Sequence, residues 1–116
     1  TTVMIADRDE IIAVSGGSKK DLLHRPIGSI VEKVMDDRRT LLVNRVQGEV
    51  DREFLSLIDG EEKNEVASFC IAPIIPGGDV VGSVIICTKD RSVTMGDVEQ
   101  KLAETAAGFL GRQLEQ

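Results

Sequence analysis

The stretch from Val66 to Thr88 constrains the fold of this chain more than any other. It reads VASFCIAPI, then IPGGD, then VVGSVIICT. Two runs of β-branched and apolar residues flank Pro76-Gly77-Gly78-Asp79, where glycines supply the positive φ that a tight reversal requires. Neither run alternates polar with apolar, so both strands are expected at the centre of a sheet covered on both faces. With Pro76 to Asp79 as the turn, Ile75 falls opposite Val80, Cys70 opposite Ile85 and Cys87 opposite Ser68. The two cysteines then share one face as diagonal neighbours, about 7–8 Å apart, at or beyond the reach of a disulfide. They are expected as reduced thiols packed like small hydrophobes.

The remaining segments must extend or cover this pair. Thr2 to Ala6 and Ile11 to Val14 are apolar and flank the polar turn Asp7-Arg8-Asp9-Glu10, which predicts a second hairpin. An acidic turn of this kind is a solvated reversal rather than a metal site, because Asp bonds its own backbone there. Ser18-x-x-Asp21, Ser29-x-x-Glu32 and Thr94-x-x-Asp97 resemble capping boxes. They open a short helix near Lys19 to His24, a helix carrying Ile30, Val31, Val34 and Met35 on one side, and a last helix over Met95 to Leu114. The Gly16-Gly17 turn matches no phosphate-binding motif. His24, the single histidine, stands at a helix end without metal-ligand neighbours. Leu41, Leu42 and Val46 suggest a further helical turn or two. Phe54 to Ile58 reads as a third strand region, and Asp59 to Asn64 as a polar connection.

Charge and composition exclude several function classes. The chain has 116 residues and a net charge of −6, with no cluster of basic residues. Duplex binding needs several cations facing phosphates, and stacking on single strands needs aromatics. Three Phe and no Trp or Tyr do not provide them. Nucleic-acid contact by this domain and attachment to an anionic membrane are therefore not expected. No apolar run reaches the length of a membrane span, and no leader pattern is visible. Thr1 in place of a Met implies a chain cut from something longer. Two cysteines inside apolar strands suit a reducing, cytoplasmic setting. No cofactor motif or metal-ligand cluster occurs, so no cofactor is expected.

The last helix carries two apolar stripes. Val98, Leu102, Thr105 and Phe109 form one. Ala103, Ala106, Ala107, Leu110 and Leu114 form the other. A helix lying on a sheet needs only one. Glycines inside a helix cost about 1 kcal/mol each relative to Ala, so Gly108 and Gly111 argue for close packing. A subunit contact through Ala103, Ala106, Ala107, Leu110, Gly111 and Leu114 is expected, giving a homo-oligomer. A now-absent N-terminal helix is the alternative partner.

The order strand, strand, short helices, strand, strand, strand, helix predicts an α+β domain with a central antiparallel five-stranded sheet and a long C-terminal helix. That is the element order of GAF and PAS sensor domains. Three stretches, IADRDEIIAVSGGSKKDL, APIIPGGDVVGSVII and TKDRSVTMGDVEQKLAETAAGFLGRQLEQ, resemble the C-terminal GAF domain of the SpoVT family of sporulation transcription regulators. The resemblance covers essentially the whole chain as one domain, residues 1–116, and is weakest between Asp37 and Asn64. It implies a regulatory domain from a cytoplasmic transcription factor. In that family a separate N-terminal domain binds DNA, and GAF helices contribute to assembly.

A GAF-type pocket combines an apolar lining with a few polar groups. Phe54, Ser56, Ser68, Cys70 and Ser83 are the candidates for contacts with an unidentified small molecule. The alternative is a dimerisation module with no ligand. Some GAF-fold proteins reduce methionine sulfoxide with several cysteines, but Cys70 and Cys87 have no neighbouring cation in sequence to lower a thiol pKa. The chain is read as a non-enzyme with no catalytic residues.

Overall fold

A computed structural model of the chain describes residues 1–17, 19–44, 57–58 and 66–114. The elements are β1 (Thr2–Asp7), β2 (Ile11–Ser15), α1 (Lys19–Leu22), α2 (Ser29–Asp37), β3 (Leu41–Val43), β4 (Ser68–Ile74), a 3-10 turn (Pro76–Gly78), β5 (Gly82–Thr88) and α3 (Asp97–Leu114). The five strands form one antiparallel sheet in the order β2-β1-β5-β4-β3. Every residue of β5 is buried, as is every residue of β4 except Pro73, in agreement with their unalternating apolar sequences.

The reversal between these two strands differs from the expected turn. Ile74 pairs with Gly82, and the connection runs from Ile75 to Val81, closed by Val81 N–H donating to the Ile74 carbonyl at 3.0 Å. The sequence reading placed Ile75 opposite Val80, one residue out of register. In a pleated strand such a slip moves side chains to the other face. Cys70 lies opposite Ile86 and Cys87 opposite Phe69, so the cysteines point to opposite faces of the sheet rather than to one. Gly77 and Gly78, at φ 56° and 94°, supply the positive φ within the connection. Gly82 has a different reason to be glycine: a Cβ there would lie 2.1 Å from the Ala6 carbonyl oxygen of β1.

One face of the sheet is covered by α2. Ile30, Val31, Val34 and Met35 are all buried and pack over Met4, Phe69, Ile71 and Ile85. The N-cap of α2 is Gly28 and Ser29 is already helical, so the expected Ser29 capping box is not used. Leu57 and Ile58 join this layer; Gly28 N–H donates to the Leu57 carbonyl at 2.8 Å, and Ile58 bridges to Ile27.

The other face is covered by α3. Its start is shifted from the expected Thr94 box by two residues: Gly96 is the cap, its carbonyl accepting from Gln100 N–H, and Glu99 reaches back to Gly96 N–H at 2.9 Å. This is the returning half of a capping box, and that bond holds the Glu99 carboxyl below its usual range. Ala103, Ala107 and Gly111 are buried against Cys70, Ala72, Ile74, Val84 and Ile86. Small residues on this face let the helix axis approach the sheet closely.

Two further expectations change. Leu41 and Leu42, read as helical, lie in β3, where they pair with Ile71 and Cys70; Val46 is outside the described residues. The third strand is therefore β3. Of the expected Phe54–Ile58 strand only Leu57 and Ile58 are described, and the polar connection from Asp59 to Asn64 is not. Immediately after β3, the Asn44 side chain makes two bonds to one residue before α3: Nδ2 donates to the Met95 carbonyl at 2.7 Å, and Oδ1 accepts from Met95 N–H at 2.8 Å. His24 follows α1 with φ 67°, and its Nδ1 lies 3.0 Å from Glu10 Oε1. The Asp7–Glu10 turn is an Asx turn, with Asp9 and Glu10 N–H both donating to Asp7 Oδ1.

The two kinds of glycine separate in denaturant unfolding. Gly82→Ala forces β1 and β5 apart and is expected to lose about 3 kcal/mol, the upper range for overpacking. Gly77→Ala meets no neighbouring atom and is expected to lose only about 1 kcal/mol, from the left-handed backbone.

Candidate functional site

The α2 face of the sheet holds the site with unmet chemistry. Ser83 sits on β5 between Ala6 of β1 and Pro73 of β4. By strand alternation its side chain shares a face with Ile85 and Cys87, which belong to the α2-side core. The residue is 0% exposed, and its hydroxyl has no hydrogen-bond partner among the described residues. A buried hydroxyl without a partner forfeits about 1–3 kcal/mol. Its surroundings are the apolar side chains of the α2-side layer.

Strand topology explains why this position is unusual. Pro73 brings no N–H to β4, and β3 ends at Leu41 opposite Ile71, before it would reach Pro73. Proline is tolerated in β4 for this reason. Ser83 thus lies opposite the stretch of β4, Ala72 to Ile74, that β3 does not extend.

The structure does not gather the sequence-derived candidates into one pocket. Ser83 lies on the α2 face. Cys70 belongs to the cluster beneath α3, and Ser68, two residues earlier on the same strand, shares that face. Both are fully buried. Phe54 and Ser56 lie outside the described residues. The division follows from the register: paired in the expected register, Ser83 and Cys70 would share a face, and in the actual one they do not.

Cys70 is chemically quiet. Burial, with the negative charges of Glu104 and Glu99 adding to it, pushes its thiol up from the ordinary 9.0 to about 11. It stays protonated at neutral pH, the opposite of an activated nucleophile. Neither cysteine is in a disulfide, and both are buried. Among the described residues no group of three or more His, Cys, Asp and Glu is placed to hold a metal ion, and no helix is long and apolar enough to cross a membrane.

The residues expected at a subunit contact are also redistributed. Ala103, Ala107 and Gly111 face the sheet of their own chain, and Ala106 and Leu110 are half-buried at its margin. A partner helix cannot reach the buried three while α3 is docked. The stripe expected to cover the sheet is the one left outside: Val98 is 68% exposed, Leu102 59% and Phe109 54%. Leu114 is exposed as well. The sequence reading took the small residues as a seat for another helix, whereas they seat α3 on its own sheet. Helix-to-sheet distance, which selects small residues, decided the outcome. Sequence reasoning missed Asn44 altogether; the available signal was a lone Asn directly after an apolar run.

Comparison with known proteins accords with this architecture. The family model described as stage V sporulation protein T C-terminal, transcription factor, matches residues 1–115. Stage V sporulation protein T of Bacillus subtilis (strain 168) is 45% identical over 115 residues, which are 99% of this chain and 60% of that protein. The GAF domain of an Acinetobacter phosphoenolpyruvate-protein phosphotransferase superposes with a TM-score of 0.74 at 16% identity, over 96% of this chain and 69% of that one. A type II free methionine-R-sulfoxide reductase from Thermoplasma acidophilum superposes with a TM-score of 0.70 at 10% identity, over 96% of this chain and 76% of that one. At such identities the structural likeness establishes the fold alone. The five-stranded sheet between α2 and α3 is a GAF fold, and the chain belongs to the stage V sporulation protein T C-terminal family of transcription factor domains.

Proposed function

We propose that this chain is the sensing and self-associating regulatory domain of a cytoplasmic sporulation transcription regulator. The observation that carries the sensing part is the buried Ser83 hydroxyl, which has no partner among the described residues and is set in the apolar layer beneath α2. A small, largely apolar molecule with one hydrogen-bonding group fits that environment. It would act by binding one arrangement of the domain better than another, since a ligand shifts an equilibrium only by its differential affinity. The acidic surface suits a domain that leaves DNA contact to another part of the protein.

Self-association is assigned to the outer stripe of α3. Val98, Leu102 and Phe109 form an exposed apolar row, and Val3 and Ile12 are exposed on the uncovered β1–β2 part of the sheet. Apolar surface concentrated in this way marks an interaction site. The carriers of this role are therefore Val98, Leu102 and Phe109 rather than the small residues beneath the helix.

The chemistry argues against catalysis by thiols. Thiol-dependent reduction needs an accessible thiolate, and Cys70 is buried with a raised pKa.

Measurements on Ser83, the outer stripe and Cys70 test these assignments. Ser83→Ala is expected to raise the stability of the ligand-free domain by about 1 kcal/mol, because it removes an unsatisfied hydroxyl. In native mass spectrometry it is expected to lower the fraction of any co-purifying small molecule. A destabilised Ser83→Ala domain would mean that the chain itself uses the hydroxyl, leaving the ligand-free dimerisation module as the better reading. For self-association, Leu102→Glu with Phe109→Glu is expected to halve the mass seen by light scattering while the circular dichroism spectrum is retained; an unchanged mass rejects the outer stripe as the contact. For Cys70, the raised folded pKa contributes stability that is fully present below pH 9 and lost as pH rises towards 11. Cys70→Ala is expected to flatten that alkaline decline. At neutral pH the raised pKa alone lowers the Cys70 thiolate fraction about a hundredfold relative to the unfolded chain, and iodoacetamide labelling should slow by at least that factor.

A further inference from the structure

A groove of about 420 Å³ opens beside α3 at the β3 edge of the sheet. Ser83 does not line it, although Pro73, its partner across the ladder, does. The groove's volume falls within the range of small-ligand sites. It exists because its walls stop short. β3 ends opposite Ile71, so Ala72 and Pro73, paired with β5 on one side, border the groove with no β3 partner on the other. From the helix side, Gly108 and Gly111 face it with no side chains.

Two arginines line this groove. Arg38 is the left-handed C-cap of α2, fixed by its own N–H donating to the Val34 carbonyl at 2.9 Å. Its guanidinium donates to the Gly78 carbonyl in the 3-10 turn. Gly111 packs on that same turn, where a Cβ would stand 3.6 Å from Pro76 N. Arg112, the next residue, folds its guanidinium back along the helix, with Nη1 3.6 Å from where a Cβ on Gly108 would be. Among the described residues neither arginine is in an ion pair. Glu104, two helical turns earlier, also lines it and accepts a hydrogen bond from Thr40 Oγ1 at 3.1 Å.

We propose that this groove is a second ligand site, taking a metabolite-sized molecule with a carboxylate or phosphate headgroup. The headgroup is held between Arg38 and Arg112. The body of the molecule lies along Ala107 towards Glu104. Each guanidinium carries five N–H donors in a planar fork, of which Arg38 commits one to Gly78. Bidentate pairing of such forks with a compact anion is the strongest polar contact available at a protein surface. In a chain of net charge −6, two cations turned towards one open volume, without an acidic partner between them, are placed for an external anion. Glu104 sets the polarity of the site. A polyanion would meet its carboxylate, whereas a single headgroup on a hydrogen-donating tail would not. An extended peptide adding to the β4 edge is excluded by Pro73, which has no N–H to offer a ladder.

The test is an amide-resolved NMR titration of this chain with inorganic phosphate and, separately, with acetate, each against sodium chloride at matched ionic strength. Saturable shifts at Gly108, Gly111 and Arg112 with phosphate or acetate, absent with chloride, are expected, and whichever anion saturates identifies the headgroup. Arg112→Gln is expected to weaken that binding at least tenfold while leaving the remaining spectrum in place. Ser83→Ala is expected to leave it unchanged. Shifts that merely follow ionic strength, or that persist in Arg112→Gln, overturn the proposal.

Discussion

The pairing of β4 with β5 decides the chemistry of every face in this domain. Both strands are apolar almost throughout, so sequence alone gives no preference for which set of side chains turns towards α2 and which towards α3. The Ile75–Val81 connection makes that choice. By closing on Ile74 and Val81, it sends Phe69, Ile71 and Ile85 to one layer and Cys70, Ile74 and Ile86 to the other. The large residues meet the short α2 with its bulky face. On the opposite side, smaller Cys70 and Ala72 help leave room for a helix to settle closely.

That settling is where the small residues of α3 act. Ala103, Ala107 and Gly111 place the helix backbone near the sheet and push its bulk outward. The domain therefore has two differently built interfaces: a thick one of interdigitating Ile, Val, Met and Phe, and a thin one made largely of backbone and methyl groups. A thin interface has fewer side chains to rearrange, so a shift of the helix along it demands less repacking than a shift of α2 would. This domain thus pairs a layer of interdigitating side chains with a thinner one of small residues.

Much of the architecture was legible in the sequence because it rests on local signals. The first hairpin, the four buried residues of α2, the central position of β4 and β5 and the long terminal helix all followed from runs and spacings of apolar residues. What was not legible depended on a count or on distance. A single residue in the connection after Ile74 separated the true register from the expected one, and with it the assignment of Cys70, Cys87 and Ser83 to faces. β3 is short and its Leu-Leu-Val sequence suits a helix as well as a strand, so its identity came from having Phe69 to Ile71 to pair with. Arg38 and Arg112 are far apart in sequence and ordinary in their local contexts; the chain end of α2 and the last turns of α3 bring them to one groove. The Ser83 hydroxyl was a visible candidate, but its lack of a partner is a property of the packed structure.

The Asn44 side chain has a mechanical consequence. Its amide does for Met95 what a neighbouring strand would do, accepting and donating in the plane of a ladder. The edge strand β3 and the chain entering α3 are thereby geared together through one planar group. A displacement of β3 along β4 cannot be absorbed by side-chain flexing at that point, because two opposed hydrogen bonds must keep their alignment or break together. The sheet edge and the chain entering the helix are consequently tied at Asn44 by a clasp that neither bond alone would keep in line.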